Sequence, residues 1–361
     1  MRLEELDFAI PRELIAQQPV EPRDSCRLMH LAEGGERRHL VFADLPRLLG
    51  RGDTVVFNDS RVLQARVQAQ KPSGGAVELL FLRPGADADG TLGTKRPESE
   101  CWEVLARPSH RLRSGGELLL PGGERLQLLA HLGEGRWLVI APPGCSLVET
   151  MEAYGRLPLP PYIKTYPDEP SAYQTVYASV LGSAAAPTAG LHFTPHLLHS
   201  LREAGVKAAY VTLHVGLDTF QPIREAVVEE HRIHRETYSV SSENLNIVRE
   251  ALGSDGRLVA VGTTAARVLE TLAQKGVPTA HVEGPITGST DIFITPGHRF
   301  RAVDVLLTNL HLPRSSVLAL TMAFAGAERL REAYAEAIAM RYRFFSFGDA
   351  MLIEGGGREH P

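Results

Sequence analysis

Between Gly52 and Pro142 the chain alternates short apolar-rich segments with turns. The segments DTVVFN, ARVQAQ, AVELLFL, CWEVLA, GELLLP, RLQLLAHL and RWLVIA are separated by stretches such as PSGG, RPGADADG, PGGE and GEG. Apolar residues at every second position predict strands with one buried face, and closely spaced Gly or Pro turns predict hairpins. No helical period interrupts this region, so the expected unit is a small sandwich or barrel.

After Pro143 the texture changes to helix alternating with strand. Thr194 reads as an N-cap with Pro195 in the first helical position, Leu197, Leu198 and Leu201 on one face, and Gly205 at the end. The strand AAYVTLHVG follows, then a helix over Ser242–Leu252 and the strand RLVAVG running into AARVLETLAQKG. The strand VDVLLTN and the helices SSVLALTMAFAG and ERLREAYAEAIAMR complete the pattern. Such alternation predicts α/β topology around a largely buried sheet. The N-terminal segment carries both helix and strand signals. The expected architecture is therefore mixed α/β: a barrel-like main domain of residues 1–55 and 150–353, with an inserted small all-β barrel domain at 56–149. Pro158–Pro161 marks the return of the chain from the insertion, and residues 354–361 read as a disordered tail.

Composition narrows the class without choosing a function. The 361 residues are 43% hydrophobic and 22% charged, an ordinary globular balance at a length that suggests two domains. No apolar run reaches the ~20 residues of a membrane span, and MRLEELDFAIPREL has no signal-peptide core, so the expected location is the cytoplasm. Cys26, Cys101 and Cys145 form no CxxC pair, which indicates neither a disulfide framework nor a cysteine zinc site. A net charge of −5 leaves nucleic-acid binding to local patches.

The tripeptides Leu191-His192-Phe193, Leu213-His214-Val215 and Leu310-His311-Leu312 share one arrangement. Strand alternation sends each imidazole away from its apolar flanks, His214 joining Thr212 and His311 joining Asn309. Polar groups at strand ends are where an α/β fold builds its site; a hydrogen-bonded structural histidine is the competing reading for each. Gly262-Thr263-Thr264, between a strand and a helix, is suited to hold an anion on helix N–H groups, although threonine capping explains the same residues. The tiny residues of GSAAAPTAGL permit close approach of backbone to a ligand, with a plain surface loop as the alternative. His231-Arg232-Ile233-His234-Arg235 is a basic stretch that fits phosphate contact or acid–base chemistry better than any recognised zinc spacing. Arg341-Tyr342-Arg343-Phe344-Phe345 interleaves cations and aromatics, as do RNA-stacking segments and also core aromatics flanked by surface arginines.

Taken together, several long blocks resemble one family. VVFNDSRVLQAR, AAAPTAGLHFTPHLL, VTLHVGLDTFQPI, EHRIHRE, VAVGTTAARVLE, LLTNLHLPRSSVLALTMAFAG and YRFFSFGDAML are similar to signature blocks of S-adenosylmethionine:tRNA ribosyltransferase-isomerases of queuosine biosynthesis. Related blocks run in order from residue 11 to residue 352, with the β region matched only at its start. Asp218, Asp59-Ser60 and Phe347 depart from the usual pattern, and Asp218 adds a charge beside the expected site.

The resemblance implies transfer and isomerisation of the ribosyl group of S-adenosylmethionine onto 7-aminomethyl-7-deazaguanine at the tRNA wobble position. It implies no metal and no cofactor, the S-adenosylmethionine being consumed. The partners would be that tRNA and S-adenosylmethionine, with no membrane, the protein acting as a monomer or weak homo-oligomer. His192, His214, His311 and Asp349 become the catalytic candidates, His192 and His214 foremost as acid and base. Asn58, Arg61, Tyr173, Gln174, Thr188, Gly190, Phe193, Thr212, Phe220, Gly262, Thr263, Thr264 and Asn309 become candidates for binding substrate. His231, Arg232, His234, Arg235 and Arg343 become candidates for tRNA. Two other classes stay open on the residues alone: a metal-dependent hydrolase using His192, His214, His231 and His311, and an RNA-binding module with structural histidines.

Overall fold

The structure is a computed structural model that describes residues 1–85, 100–167, 169–216, 222–233, 235–277 and 284–358. In chain order, β1 (Arg27–Leu31), β2 (Arg37–Val41) and β3 (Thr54–Asn58) come first, followed by β4 (Ser60–Val62). Next are β5 (Arg66–Gln70), β6 (Ala76–Pro84), β7 (Cys101–Arg107), β8 (Glu117–Leu119), β9 (Arg125–Gly133), β10 (Arg136–Ile140), helix α1 (Leu147–Tyr154) and β11 (Val180–Ser183). The rest is α2 (Pro195–Glu203), β12 (Lys207–Leu213), β13 (Glu236–Val240), α3 (Ser242–Leu252), β14 (Leu258–Val261), α4 (Gly262–Gln274), β15 (Ile286–Thr290), β16 (Val305–Asn309), α5 (Ser316–Ala325), α6 (Ala327–Ala339) and β17 (Ala350–Glu354).

The chain forms two compact units, Met1–Arg61 with Pro160–Val180 and Ala186–Pro361, and Val62–Leu159 with Leu181–Ala185. The first holds a nine-stranded sheet in the order β15-β13-β12-β3-β14-β16-β17-β1-β2. Its centre is parallel, β12 pairing with β3 and β3 with β14, which pairs in turn with β16. The second holds a closed barrel, β10-β7-β6-β5-β8-β9, every pair antiparallel. The mixed α/β class and the small β-barrel agree with the sequence expectation.

Burial explains which strands went where. All five residues of β3 and of β16 are buried, as expected for central strands covered on both faces. The barrel strands β5 and β10 instead alternate buried with more exposed positions. DTVVFN therefore belongs whole to the large sheet, and a boundary at residue 56 would cut through it. On the return, α1 belongs to the barrel unit, which extends that unit past residue 149 to Leu159.

One face of the large sheet presents Val55, Phe57, Val259, Val261, Val305 and Leu307 to Phe42, Leu45 and the α2 residues Leu197 and Leu201. Each such side chain contributes ~1.5–3 kcal/mol through burial. Helix α2 begins as read: the Thr194 hydroxyl accepts from the Leu197 N–H at 3.1 Å, Pro195 follows, and Gly205 adopts φ +83°. The tail differs from the reading as disordered. Glu354 ends β17 and accepts from Arg257, while Arg358 donates to buried Asp304 at 2.8 Å and to the Leu252 carbonyl at 2.9 Å. The glycine-rich composition masked this: Asp304 is 8% exposed and requires a charged partner. Residues 359–361 lie outside the described residues. Among the described residues no helix is long and apolar enough to cross a membrane.

Candidate functional site

The carboxyl ends of the parallel strands converge on one cleft, the position at which open α/β sheets bind ligands. Strand β14 passes directly into α4 through Gly262, whose φ of +83° favours glycine. Strand β16 ends at Asn309, and the 3-10 turn Thr188–His192 crosses alongside. The resulting cleft is partly open to solvent. Thr188, Gly262, Thr263, Thr264, Asn309 and His311 line it, together with Tyr162, Thr308, Phe345 and Ser346.

A hydrogen-bonded relay fixes one wall. The Thr188 hydroxyl donates to Asn309 Oδ1 at 3.0 Å, and Asn309 Nδ2 donates to His192 Nε2 at 2.9 Å and to the Phe345 carbonyl at 3.3 Å. His192 Nδ1 lies 3.2 Å from Cys26 Sγ. Since Nε2 accepts from the amide, the proton of the neutral ring belongs on Nδ1. Burial, then the positive charges of Arg343 and Arg23, lower the His192 pKa to about 3. His192 is thus neutral, 4% exposed and behind the cleft wall, with both ring nitrogens engaged. That placement suits a residue that positions Asn309 rather than one that exchanges protons.

The other two histidines stand differently. His311 lines the cleft, its Nε2 2.7 Å from the Thr308 hydroxyl and its backbone N–H donating to Tyr334 at 2.8 Å. Burial lowers its pKa to about 3, although the residue as a whole is only half-buried. His214 follows the end of β12 and is half-buried, and its neighbours Val215 and Gly216 line the cleft and its extension. Burial lowers its pKa, the negative charge of Asp59 opposing, and Nδ1 has no partner among the described residues. Asp59 itself accepts from Thr212 at 2.6 Å and from Ser179 at 2.7 Å.

The first turn of α4 carries no side-chain cap, leaving its N–H groups to face the cleft. Thr264 Oγ1 is buried there without a partner among the described residues. Positive helix-terminal dipole and unused donors together favour an anionic ligand group.

A family model described as queuosine biosynthesis protein matches residues 3–353. The chain belongs to that family. It is 51% identical over 360 residues to the S-adenosylmethionine:tRNA ribosyltransferase-isomerase of Rubrobacter xylanophilus, covering 99% of each chain. It is 46% identical to the protein of the same name from Moorella thermoacetica, covering 98% of this chain and 100% of the relative. Among solved structures, the S-adenosylmethionine tRNA ribosyltransferase of Thermotoga maritima aligns with a TM-score of 0.53 at 35% identity, over 97% of this chain and 99% of that one. The family is one of transferase-isomerase enzymes, which sets aside the reading as a binding module alone.

Family membership does not place every candidate in the cleft. Asn58 is fully buried and staples β3 to β12, donating to the Leu213 carbonyl and accepting from the Leu213 N–H, each at 3.0 Å. Phe193 is fully buried, edge-on to Phe42 and Phe57 at 5.1 and 5.0 Å, and so is core rather than a stacking platform. Tyr173 is likewise buried, with its ring edge to Phe347 at 5.9 Å. The Gln174 carbonyl accepts from Arg23 at 2.8 Å. A Cβ on Gly190 would meet Tyr177 Oη at 1.9 Å, so that glycine serves close packing. Asp349, 2% exposed, accepts from the Arg27 N–H at 2.9 Å, from Arg27 Nε at 3.1 Å and from the Arg343 N–H at 2.7 Å. It closes the turn before β17 and does not line the cleft. Arg343 also donates to the Gln18 carbonyl.

Among the basic candidates, His231 Nδ1 is 2.8 Å from Glu225, Arg235 pairs with Asp291 at 3.3 Å, and Arg232 and Arg61 are surface residues. Phe220, His234 and Asp218 lie outside the described residues. His192, His214, His231 and His311 form no cluster, and no group of three or more metal-ligating side chains occurs among the described residues. The sequence reading missed Tyr162, Thr308, Ser346, Glu236 and Arg267. Thr308 and Ser346 adjoin the histidine and aromatic motifs in sequence, whereas Tyr162 meets Ser346 across 184 residues and Glu236 meets Arg267 across 31, both only through the fold.

Proposed function

We propose that the chain transfers and isomerises the ribosyl group of S-adenosylmethionine onto the exocyclic amine of 7-aminomethyl-7-deazaguanine at the tRNA wobble position. Adenine and methionine leave, and epoxyqueuosine remains in the RNA. The donor is consumed as a substrate, and no metal or cofactor enters. The observation that supports this reading best is the cleft over the uncapped α4 N-terminus, with Thr188, Asn309 and His311 on its walls, in a chain of this family.

The sulfonium acidifies the neighbouring 5′ carbon, and a base removes that proton to give an ylide. Opening of the ribose expels adenine, which takes up a proton. The RNA amine attacks and loses its proton, and the epoxide closes as the sulfur departs in methionine with the bonding electrons. A positioned acid or base contributes ~10²–10⁴ in rate. His311, neutral and hydrogen-bonded to Thr308 on the cleft wall, and His214, beside Asp59 at its edge, take these roles. Thr188 and Asn309 offer polar contacts to the nucleoside, held by His192 from behind. Arg232, Arg235 and Arg61 supply phosphate contacts.

The deciding experiment incubates the protein with tRNA carrying 7-aminomethyl-7-deazaguanine and S-adenosylmethionine labelled separately in ribose and methyl. Ribose label in the RNA, with methyl label leaving in methionine, is the expected outcome. Methyl label in the RNA would mean a methyltransferase.

A further inference from the structure

The cleft continues past the first turn of α4 into a second recess, the two sharing Thr263, Thr264 and Val317. Its lining includes the apolar residues Ile292, Phe293, Ile294, Val317 and Leu320. Glu236 and Arg267 line it as well. Arg267 is 8% exposed; it pairs through Nη1 with the Glu236 carboxylate and donates Nε to the Ile292 carbonyl at 3.3 Å. Its Nη2 is buried without a partner among the described residues, as is Oγ1 of Thr264, a residue 9% exposed. A buried donor left unpaired carries its full desolvation penalty. Two such donors beside uncapped helix N–H groups make a site built for an acceptor that arrives with a ligand. Glu236, 6% exposed, places a negative charge next to it and holds the Gly216 N–H at 2.9 Å.

Donors for an anion, an adjacent carboxylate for a cation and a neighbouring apolar lining describe an α-amino acid with an unbranched apolar side chain. We infer that this recess binds the amino-acid arm of the donor: Arg267, Thr264 and the α4 N-terminus take its α-carboxylate, and Glu236 takes its α-ammonium. This rests on the reading of S-adenosylmethionine as donor, and adds its orientation. The thioether chain lies along Ile292, Ile294 and Val317, the sulfonium sits where the two recesses meet at Thr263 and Thr264, and the nucleoside occupies the Asn309 side. The same recess holds methionine after the ribosyl group departs.

The test is calorimetric titration of the full chain with S-adenosylhomocysteine and with 5′-deoxy-5′-methylthioadenosine, which lacks the amino-acid arm. The unaltered protein should bind S-adenosylhomocysteine at least about tenfold more tightly. Thr264→Val, nearly isosteric and leaving the ion pair intact, should shrink that preference several-fold, weakening S-adenosylhomocysteine more than methylthioadenosine. The paired replacement Arg267→Gln with Glu236→Gln, which strands no lone buried charge, should abolish the preference; should it fail to fold, Thr264→Val decides. Equal binding of the two ligands by the unaltered protein, or an undiminished preference in the variants, overturns the inference while leaving the donor reading intact. If the unaltered protein binds neither compound nor S-adenosylmethionine, the donor reading falls and the inference with it.

Discussion

Asn309 Nδ2 donates to Nε2 of His192 at 2.9 Å, so the cleft's asparagine is oriented by a histidine that never reaches the cleft. The bond also decides the asparagine's other end: with Nδ2 engaged, Oδ1 faces the Thr188 hydroxyl at 3.0 Å. One neutral imidazole therefore sets which polar atoms the wall can offer. Protonating it would turn Nε2 from acceptor to donor and place two donors against each other.

That relationship has a pH signature. The folded-state pKa of His192 lies at about 3, below its ordinary 6.5, so the unfolded chain binds the proton more readily. The contribution is fully present above pH 6.5 and is lost as the pH falls from there toward 3. Urea unfolding at pH 7.5, 6.5 and 5.5 should show stability declining on the acid side, by up to ~1.4 kcal/mol per pH unit from this residue. His192→Gln should be less stable at neutral pH by ~1–3 kcal/mol and show a shallower acid decline. An unchanged slope would mean that the ring is already protonated in the fold.

What the sequence revealed and what it hid divide along a physical line. Elements with a local code were legible: the Thr194–Pro195 helix start, Ser242–Leu252, the strand-to-helix turn at Gly262, and Asn309 at a strand end. Asn58, Phe193 and Asp349 carried equally polar or aromatic motifs, yet the fold turns them inward to staple strands, fill the core and close a turn. Motif membership records that a residue matters, and only packing tells whether it touches ligand. Arg267 was invisible because helix periodicity makes an arginine read as solvent-facing, whereas α4 is buried over Gly262–Leu272 and brings it against Glu236.

Two glycines should separate packing from cleft geometry. Gly190→Ala places its Cβ 1.9 Å from Tyr177 Oη and 2.9 Å from Thr175 Cγ2, so stability should drop by ~1–3 kcal/mol or more. At Gly262 the nearest atom would be Ala189 Cβ at 3.4 Å, but φ is +83°. Gly262→Ala should cost only ~1–2 kcal/mol while tilting the first turn of α4 and weakening donor binding. Denaturation midpoints with donor titrations check both; a Gly262→Ala protein with full donor affinity would detach that turn from the site.

The surface arginines should act through salt-sensitive contacts. Arg235 and Asp291 are 70% and 62% exposed, so their pairing is worth little and yields readily to a phosphate. Replacing Arg232 and Arg235 together by Ala should weaken tRNA binding without altering the melting temperature. The log–log dependence of affinity on salt should flatten by roughly 0.7–0.9 for each phosphate that the variant no longer neutralises. An unchanged slope would remove this stretch from the RNA footprint.

The acid–base assignment turns on His311 against His214. His311 lines the cleft, its neutral ring held by Thr308 while its backbone N–H donates to Tyr334. His214 sits at the edge with Nδ1 unpartnered among the described residues, Asp59 opposing the effect of burial on its pKa. Glutamine keeps size and one hydrogen bond but cannot titrate, so His311→Gln and His214→Gln separate chemistry from packing. Whichever residue exchanges the proton should lose about two orders of magnitude or more in turnover, with KM for tRNA and melting temperature nearly unchanged. A variant whose turnover falls by less than about tenfold would remove its histidine from the acid and base pair. For the residue that acts as base, the acid limb of the turnover profile should lie below pH 6.5, because burial lowers both pKa values from that ordinary position. Full turnover in both variants would exclude either imidazole as the proton carrier, and a loss that tracks a collapsed melting temperature would assign that histidine to the scaffold.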